Sequence, residues 1–251
     1  MVCAPRLTCS AGRVRARKSE TARRGSGIQA EVRRWFKENS LTIVMMALFF
    51  VSFVGQVATG LHEHNDEALE HGRAALDLAG YLTSGHFIEA VFENWESEFL
   101  QMGLFVVLTI FLRQKGSSES KKVDDGDEEV DEDPHKHIGE SRAPWPVRKG
   151  RFVGLYAQSL SLSLFALFLF SFALHAVGGK MNFNEDQLAH GKPAVSVLGY
   201  LSSTRFWFES FQNWQSEFLS IAVIVVLSIY LRQKGSPQSK PVHAPNGETE
   251  D

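Results

Sequence analysis

The sequence predicts an all-α integral membrane protein, with four transmembrane helices arranged as two tandem, parallel-repeat hairpins. Three observations carry that prediction. Residues 41–60 and 160–179 each run without Asp, Glu, Lys or Arg over about 20 residues, long enough to cross a bilayer core. Each is followed by a shorter apolar run, 99–112 and 218–231. An offset of 119 residues aligns 40–121 with 159–240 without a gap, and about 37 of those positions are identical. A run as short as 99–112 also suits the core helix of a soluble protein. Its alternation with full-length spans and its basic flanks favour the membrane.

The chain divides in order as follows. Residues 1–32, rich in Arg and Ser and lacking apolar periodicity, form a basic head expected to be disordered. The head reads as a flexible cytoplasmic arm or an upstream extension, and more loosely as a targeting segment. The first repeat unit covers 33–121, with spans at about 41–60 and 93–112. A linker, 122–151, holds eight acids within 124–133, a self-repelling run expected to stay extended and solvated. The second unit covers 152–240, with spans at about 160–179 and 212–231, and 241–251 form a tail. Each unit crosses twice, so both run in the same direction and are related by an axis along the membrane normal.

Orientation follows from the cations. The head to residue 40, the 113–152 linker and the tail carry 22 Lys and Arg, whereas the loops 61–93 and 180–213 carry 4. Both termini and the linker are therefore expected in the cytoplasm, with the two loops outside.

The outer loops carry local signals. "NDEALEHG" (65–72) and "NEDQLAHG" (184–191) read as short helices, with Asn65 as N-cap and Gly72 and Gly191 as left-handed terminators. His71 and His190 then sit in the last turn, a structural rather than catalytic place. "HEH" at 62–64 has no counterpart in the second unit, and Cys3 and Cys9 lie in the head. No metal site, cofactor or catalytic residue is expected. Downstream, Thr83 or Ser84, and Ser202 or Ser203, are N-cap candidates for each second span.

"NWESEFL" (94–100) and "NWQSEFL" (213–219) raise the question of depth. The run 99–112 covers only about 21 Å at about 1.5 Å per residue, short of a hydrocarbon core of about 30 Å. The helix therefore enters the membrane before Phe99, which puts Asn94 and Glu98, and likewise Asn213 and Glu217, near the outer interface. Trp95 and Trp214 suit that interface as anchors. On the first helices, Gln56 and His175 lie at matching depth, about 22 Å up. Three arrangements satisfy these carboxylates: Gln56–Glu98 and His175–Glu217 contacts within each hairpin, Glu98 facing Glu217 across the pseudo-axis, or wetted side chains with no fixed partner.

The text "FENWESEFLQ", "FQNWQSEFLS", "TRFWFES" and "LRQKGSPQSKPV" resembles a bacterial family of small integral membrane proteins known only as a domain of unknown function. The resemblance spans about residues 33–242, leaving out the Cys-containing head. It implies a bacterial cytoplasmic (inner) membrane and supplies no site residues. No nucleotide loop, nucleophile elbow or metal spacing occurs in the sequence, so no enzyme is expected. An active site built on His175, Glu217 and His190 would be asymmetric, because Gln56 stands at the position matching His175. The expected role is a non-enzymatic scaffold or envelope component, with a transporter or proton or ion pathway as the alternative. The expected partners are the lipid bilayer and a second copy or other membrane proteins, not nucleic acid.

Overall fold

The structure is a computed structural model that describes residues 29–123 and 128–249. Most of the expected disordered head, the centre of the acidic run and the last two residues lie outside the described residues. Every regular element among the described residues is helical. The main elements are α1 (Ser40–Glu70), α2 (Leu78–Leu82), α3 (Gly85–Phe111), α4 (Trp145–Lys149), α5 (Val153–Ala157), α6 (Ser159–Ala189), α7 (Val197–Leu201) and α8 (Thr204–Tyr230). Two compact units are distinguished, Met1–His62 and Glu63–Asp251.

Three helices are long and apolar enough to cross a membrane: α1, α6 and α8. The first unit contains most of α1, whose Leu41, Met45, Leu48, Phe50 and Val51 are all exposed. An apolar helix without a polar face suits hydrocarbon rather than water. The fourth expected span, in α3, falls below the same standard. The first half of α3 carries Glu89, Glu93, Glu96 and Glu98, which offset its apolar second half.

In the second unit, the principal helix pair is α3 against α6, and α8 packs on α3. Small residues make the close approach possible. A Cβ on Gly178 would meet the backbone N of Glu89 at 2.6 Å, and one on Gly85 would collide with the backbone at Asn182. A Cβ on Gly179 would strike the Tyr200 hydroxyl. Helices in a membrane associate through such close backbone packing, since lipid is as apolar as the side chains. Ala176, Tyr200 and Phe206 form the buried apolar core, flanked by Phe172, Phe183, Val195, Val197 and Leu201.

The loop helices are not where the sequence reading put them. Asn65 and Asn184 do not start short helices; they sit inside α1 and α6, which run on to Glu70 and Ala189. Nothing between Gly60 and Asn65 breaks a helix, so the spanning helix continues. Each Asn instead clamps the returning chain. Asn65 accepts from the Leu76 N–H at 2.7 Å and donates to the Leu76 carbonyl at 2.9 Å. Asn184 does the same to Val195 at 2.7 and 3.0 Å. The expected left-handed residues are found, with Gly72 and Gly191 both at φ 69°. His71 and His190 bond the carbonyls of Glu67 and Asp186 in the last turns. The short helices are α2 and α7, capped by Asp77 and Ser196. Ser84 and Ser203 cap α3 and α8, which begin well upstream of the expected span starts at 93 and 212.

The described part of the linker is partly folded. It carries short 3-10 turns at Glu129–Asp131 and Pro134–His137, then α4, with α5 just beyond it. Lys121 pairs with Asp131, and His137 bonds Glu140 at 3.0 Å.

Candidate functional site

The candidate site is a buried polar cluster where α3, α6, α7 and α8 meet. The Ser84 cap sets the start of α3, so Glu89, Glu93 and Glu96 fall on one face at i, i+4 and i+7. The Gly178 contact draws that face onto α6, where His175 lies one turn earlier. The Ser203 cap starts α8, which brings Arg205 and Glu209 in at i and i+4, and then Trp214. Tyr200 enters from α7 and fills the space left by Gly179.

At the centre, Glu96 and His175 are both fully buried, with His175 Nδ1 2.7 Å from Glu96 Oε2. The other oxygen of Glu96 accepts from the Trp214 indole N–H at 3.1 Å. The imidazole lies against the Phe206 ring at 4.8 Å between centroids and 29° between planes. Its Nε2 is buried without a hydrogen bond and stands 3.7 Å from Glu209 Oε2.

A second layer surrounds this pair. The Tyr200 hydroxyl is 2.7 Å from Glu209 Oε2 and 3.0 Å from Glu89 Oε1. It carries one proton and so can donate to only one carboxylate at a time. Burial, then the adjacent Glu89 charge, holds the Tyr200 phenol far above its ordinary range, so it remains a donor. Arg205 donates to Glu209 Oε1 and to Asp186 Oδ2, each at 2.8 Å. Asn182 donates to Glu89 Oε2. Glu89, His175 and Glu209 each offer one ligand atom, all within 4.8 Å of one another, so these three could hold a metal ion.

Of the residues singled out in the sequence, His175 and Trp214 belong to this cluster, and both meet Glu96. The expected His175–Glu217 contact is replaced by His175–Glu96, because α6 runs chiefly along α3. Trp214 therefore acts as a donor into the cluster, and it also makes edge contacts with Trp207 and Phe211. Trp95 packs against Phe92 and Phe99. Asn94 and Asn213 bond their own helices, at the carbonyls of Ala90 and Glu209. Gln56 is exposed on α1, in the first unit, and its side chain makes no hydrogen bond among the described residues. Glu98 and Glu217 are near enough for their charges to interact.

Sequence reasoning missed Glu89, Glu93, Glu96, Tyr200, Arg205 and Glu209. The acids at 89, 93 and 96 were a readable signal, three carboxylates at helical spacing just ahead of an apolar run. Glu96 occupied the variable place of the repeated Asn-Trp-x-Ser-Glu-Phe-Leu text, where Gln215 stands in the second copy.

A family model described as Domain of unknown function (DUF6766) matches residues 32–251. The chain belongs to that family. No curated protein and no solved structure matches it.

Proposed function

We propose that this family member is a non-enzymatic, four-span protein of the bacterial inner membrane, a scaffold or envelope component whose buried polar cluster clasps α3, α6 and α8 together. The observation that carries the clasp is the Glu96 carboxylate, fully buried and bonded to His175 of α6 and Trp214 of α8. In an apolar surrounding, directional polar contacts select helix faces where hydrophobic burial is indifferent. Removing one member of a buried charged pair strands the other, so such a contact resists change.

Several features support the finer parts of this reading. α1 and α6 have 31 residues each, α2 and α7 five each, and α3 and α8 27 each, in the same order and at the same offset. That pattern favours a duplicated hairpin, with α3 as the fourth span. The excess of Lys and Arg in head, linker and tail favours cytoplasmic termini.

A second reading, a proton or ion pathway, is favoured by the interacting pair Glu98 and Glu217. Reconstitution in liposomes separates the two. Proton and cation flux is measured for the native protein and for Glu98→Gln, Glu217→Gln and Glu96→Gln. The clasp reading expects no flux above empty vesicles, and a lower thermal stability for Glu96→Gln. A gradient-driven flux lost in Glu98→Gln or Glu217→Gln overturns it in favour of the pathway.

A further inference from the structure

We infer that Glu89, His175 and Glu209 form a binding site for a first-row divalent transition-metal cation, with Glu96 as the positioning residue that aims the imidazole. The inference rests on the clasp reading in one respect: the ion fastens the same helices. It deepens that reading by naming what occupies the centre of the cluster.

The unpartnered nitrogen carries the argument. His175 is fully buried, and its Nδ1 is engaged by Glu96 at 2.7 Å. A carboxylate at Nδ1 fixes the proton there and presents the Nε2 lone pair, the arrangement by which histidine ligands are oriented towards metals. That Nε2 has no hydrogen-bond partner. Buried polar atoms in native proteins are almost always satisfied, so an orphan at the centre of a polar cluster points to a missing partner. Glu209 Oε2 is 3.7 Å away, too far to serve as that partner.

Distance and charge agree. The three ligand atoms lie within 4.8 Å of one another. Metal–ligand bonds of about 2.0–2.2 Å set neighbouring ligand atoms about 3–3.5 Å apart. Drawing the carboxylates in by about an ångström through rotamer adjustment closes the site. Both carboxylates are already held from behind, Glu89 by Asn182 and Tyr200, and Glu209 by Tyr200 and Arg205. Such outer contacts are the usual support of ligating carboxylates. Tyr200 has one proton for two acceptors, and the buried Glu89 and half-buried Glu209 share one Arg205. A doubly charged cation offsets both deficits.

The donor set selects the class. One imidazole with carboxylates and no thiolate suits Zn²⁺, Mn²⁺ or Fe²⁺ better than Cu⁺, which prefers sulfur, or Mg²⁺ and Ca²⁺, which prefer oxygen alone. The ligands come from three different helices, so no local spacing announces them.

The test uses the full chain in detergent, with Cys3→Ser and Cys9→Ser to silence the head thiols. The protein is stripped with EDTA, dialysed, and titrated calorimetrically with ZnCl₂, MnCl₂ and MgCl₂. The expected result is one tight Zn²⁺ per chain, weaker Mn²⁺ binding and no Mg²⁺ binding. His175→Ala and Glu209→Gln should each lower Zn²⁺ affinity more than about 10-fold, and Glu96→Gln by about 10- to 100-fold. His190→Ala, at a helix end away from the cluster, should leave affinity unchanged. A second measurement needs no variant: Co²⁺ added to the stripped native protein should give visible d–d absorption that Zn²⁺ abolishes. Absence of Zn²⁺ binding and of the Co²⁺ band overturns the inference, as does binding unchanged in His175→Ala and Glu209→Gln. Thermal unfolding separates it from the clasp. Without metal binding but with destabilised Glu96→Gln, the metal site fails and the clasp stands. With metal binding but unchanged stability in Glu96→Gln, the clasp fails and the site stands.

Discussion

Gly178 decides how near α3 comes to α6. A methyl group there would meet the Glu89 backbone N at 2.6 Å and Ile88 Cβ at 2.8 Å, both rigid neighbours. Gly178→Ala should therefore cost about 1–3 kcal/mol by overpacking, read as a lower unfolding midpoint of the detergent-solubilised protein. An unchanged midpoint would mean the two backbones are not in contact. A different single residue tests the linker. His137 is held above its ordinary 6.5 first by the Glu140 hydrogen bond and then by Glu132. The raised direction means that its ion pairs favour the folded linker fully below pH 6.5 and lose that effect as pH rises through the elevated value. NMR titration should find the His137 imidazole above 6.5 in the native chain and closer to it in Glu140→Gln.

At the scale of elements, most repeated text proves to be terminal punctuation. The Ser84 and Ser203 hydroxyls accept from the Phe87 and Phe206 N–H groups and start the two long helices. Ser84→Ala and Ser203→Ala should each cost about 1 kcal/mol, measured by thermal unfolding. Equal stability of either variant and the native chain would dismiss that cap. The shared "LRQKGS" closes the same helices. Arg113 and Arg232 reach back to the last carbonyls, among them Ile110 and Ile229 at 3.0 and 3.1 Å. Gly116 and Gly235, both at φ 84°, turn the chain away. The closing role of the shared text was not read from the sequence, whereas the serine caps were legible because caps depend on residue type and local position. Asn65 was misread for the same reason. Its type suits an N-cap, but the helix before it never ended, and its clamp on Leu76 lies across a turn that no local pattern specifies.

At the scale of the whole molecule, the all-helical class and three of the four expected apolar spans were legible from hydropathy, while the site was hidden by attention to the repeated text. Attention to shared text selects Glu98 and Glu217. The cluster instead uses Glu89, Glu96, His175 and Glu209, whose counterparts 119 residues away are Phe208, Gln215, Gln56 and Ala90. Those differences set the cluster apart from the 119-residue text match, and they emerge only when tertiary packing brings three helices together. The proposed topology has its own check. In a background of Cys3→Ser and Cys9→Ser, an impermeant thiol reagent should label Lys192→Cys in intact cells and Glu140→Cys only after lysis; the opposite pattern would invert the protein.

The central claim is that Glu96 and His175 act as one unit joining α3 to α6, and a double-mutant cycle tests it most directly. Thermal unfolding is measured for Glu96→Gln, His175→Phe and the double variant. Each single change should cost about 3–5 kcal/mol by stranding its partner, and the double variant should lose no more than either single one. Losses that simply add would contradict the clasp.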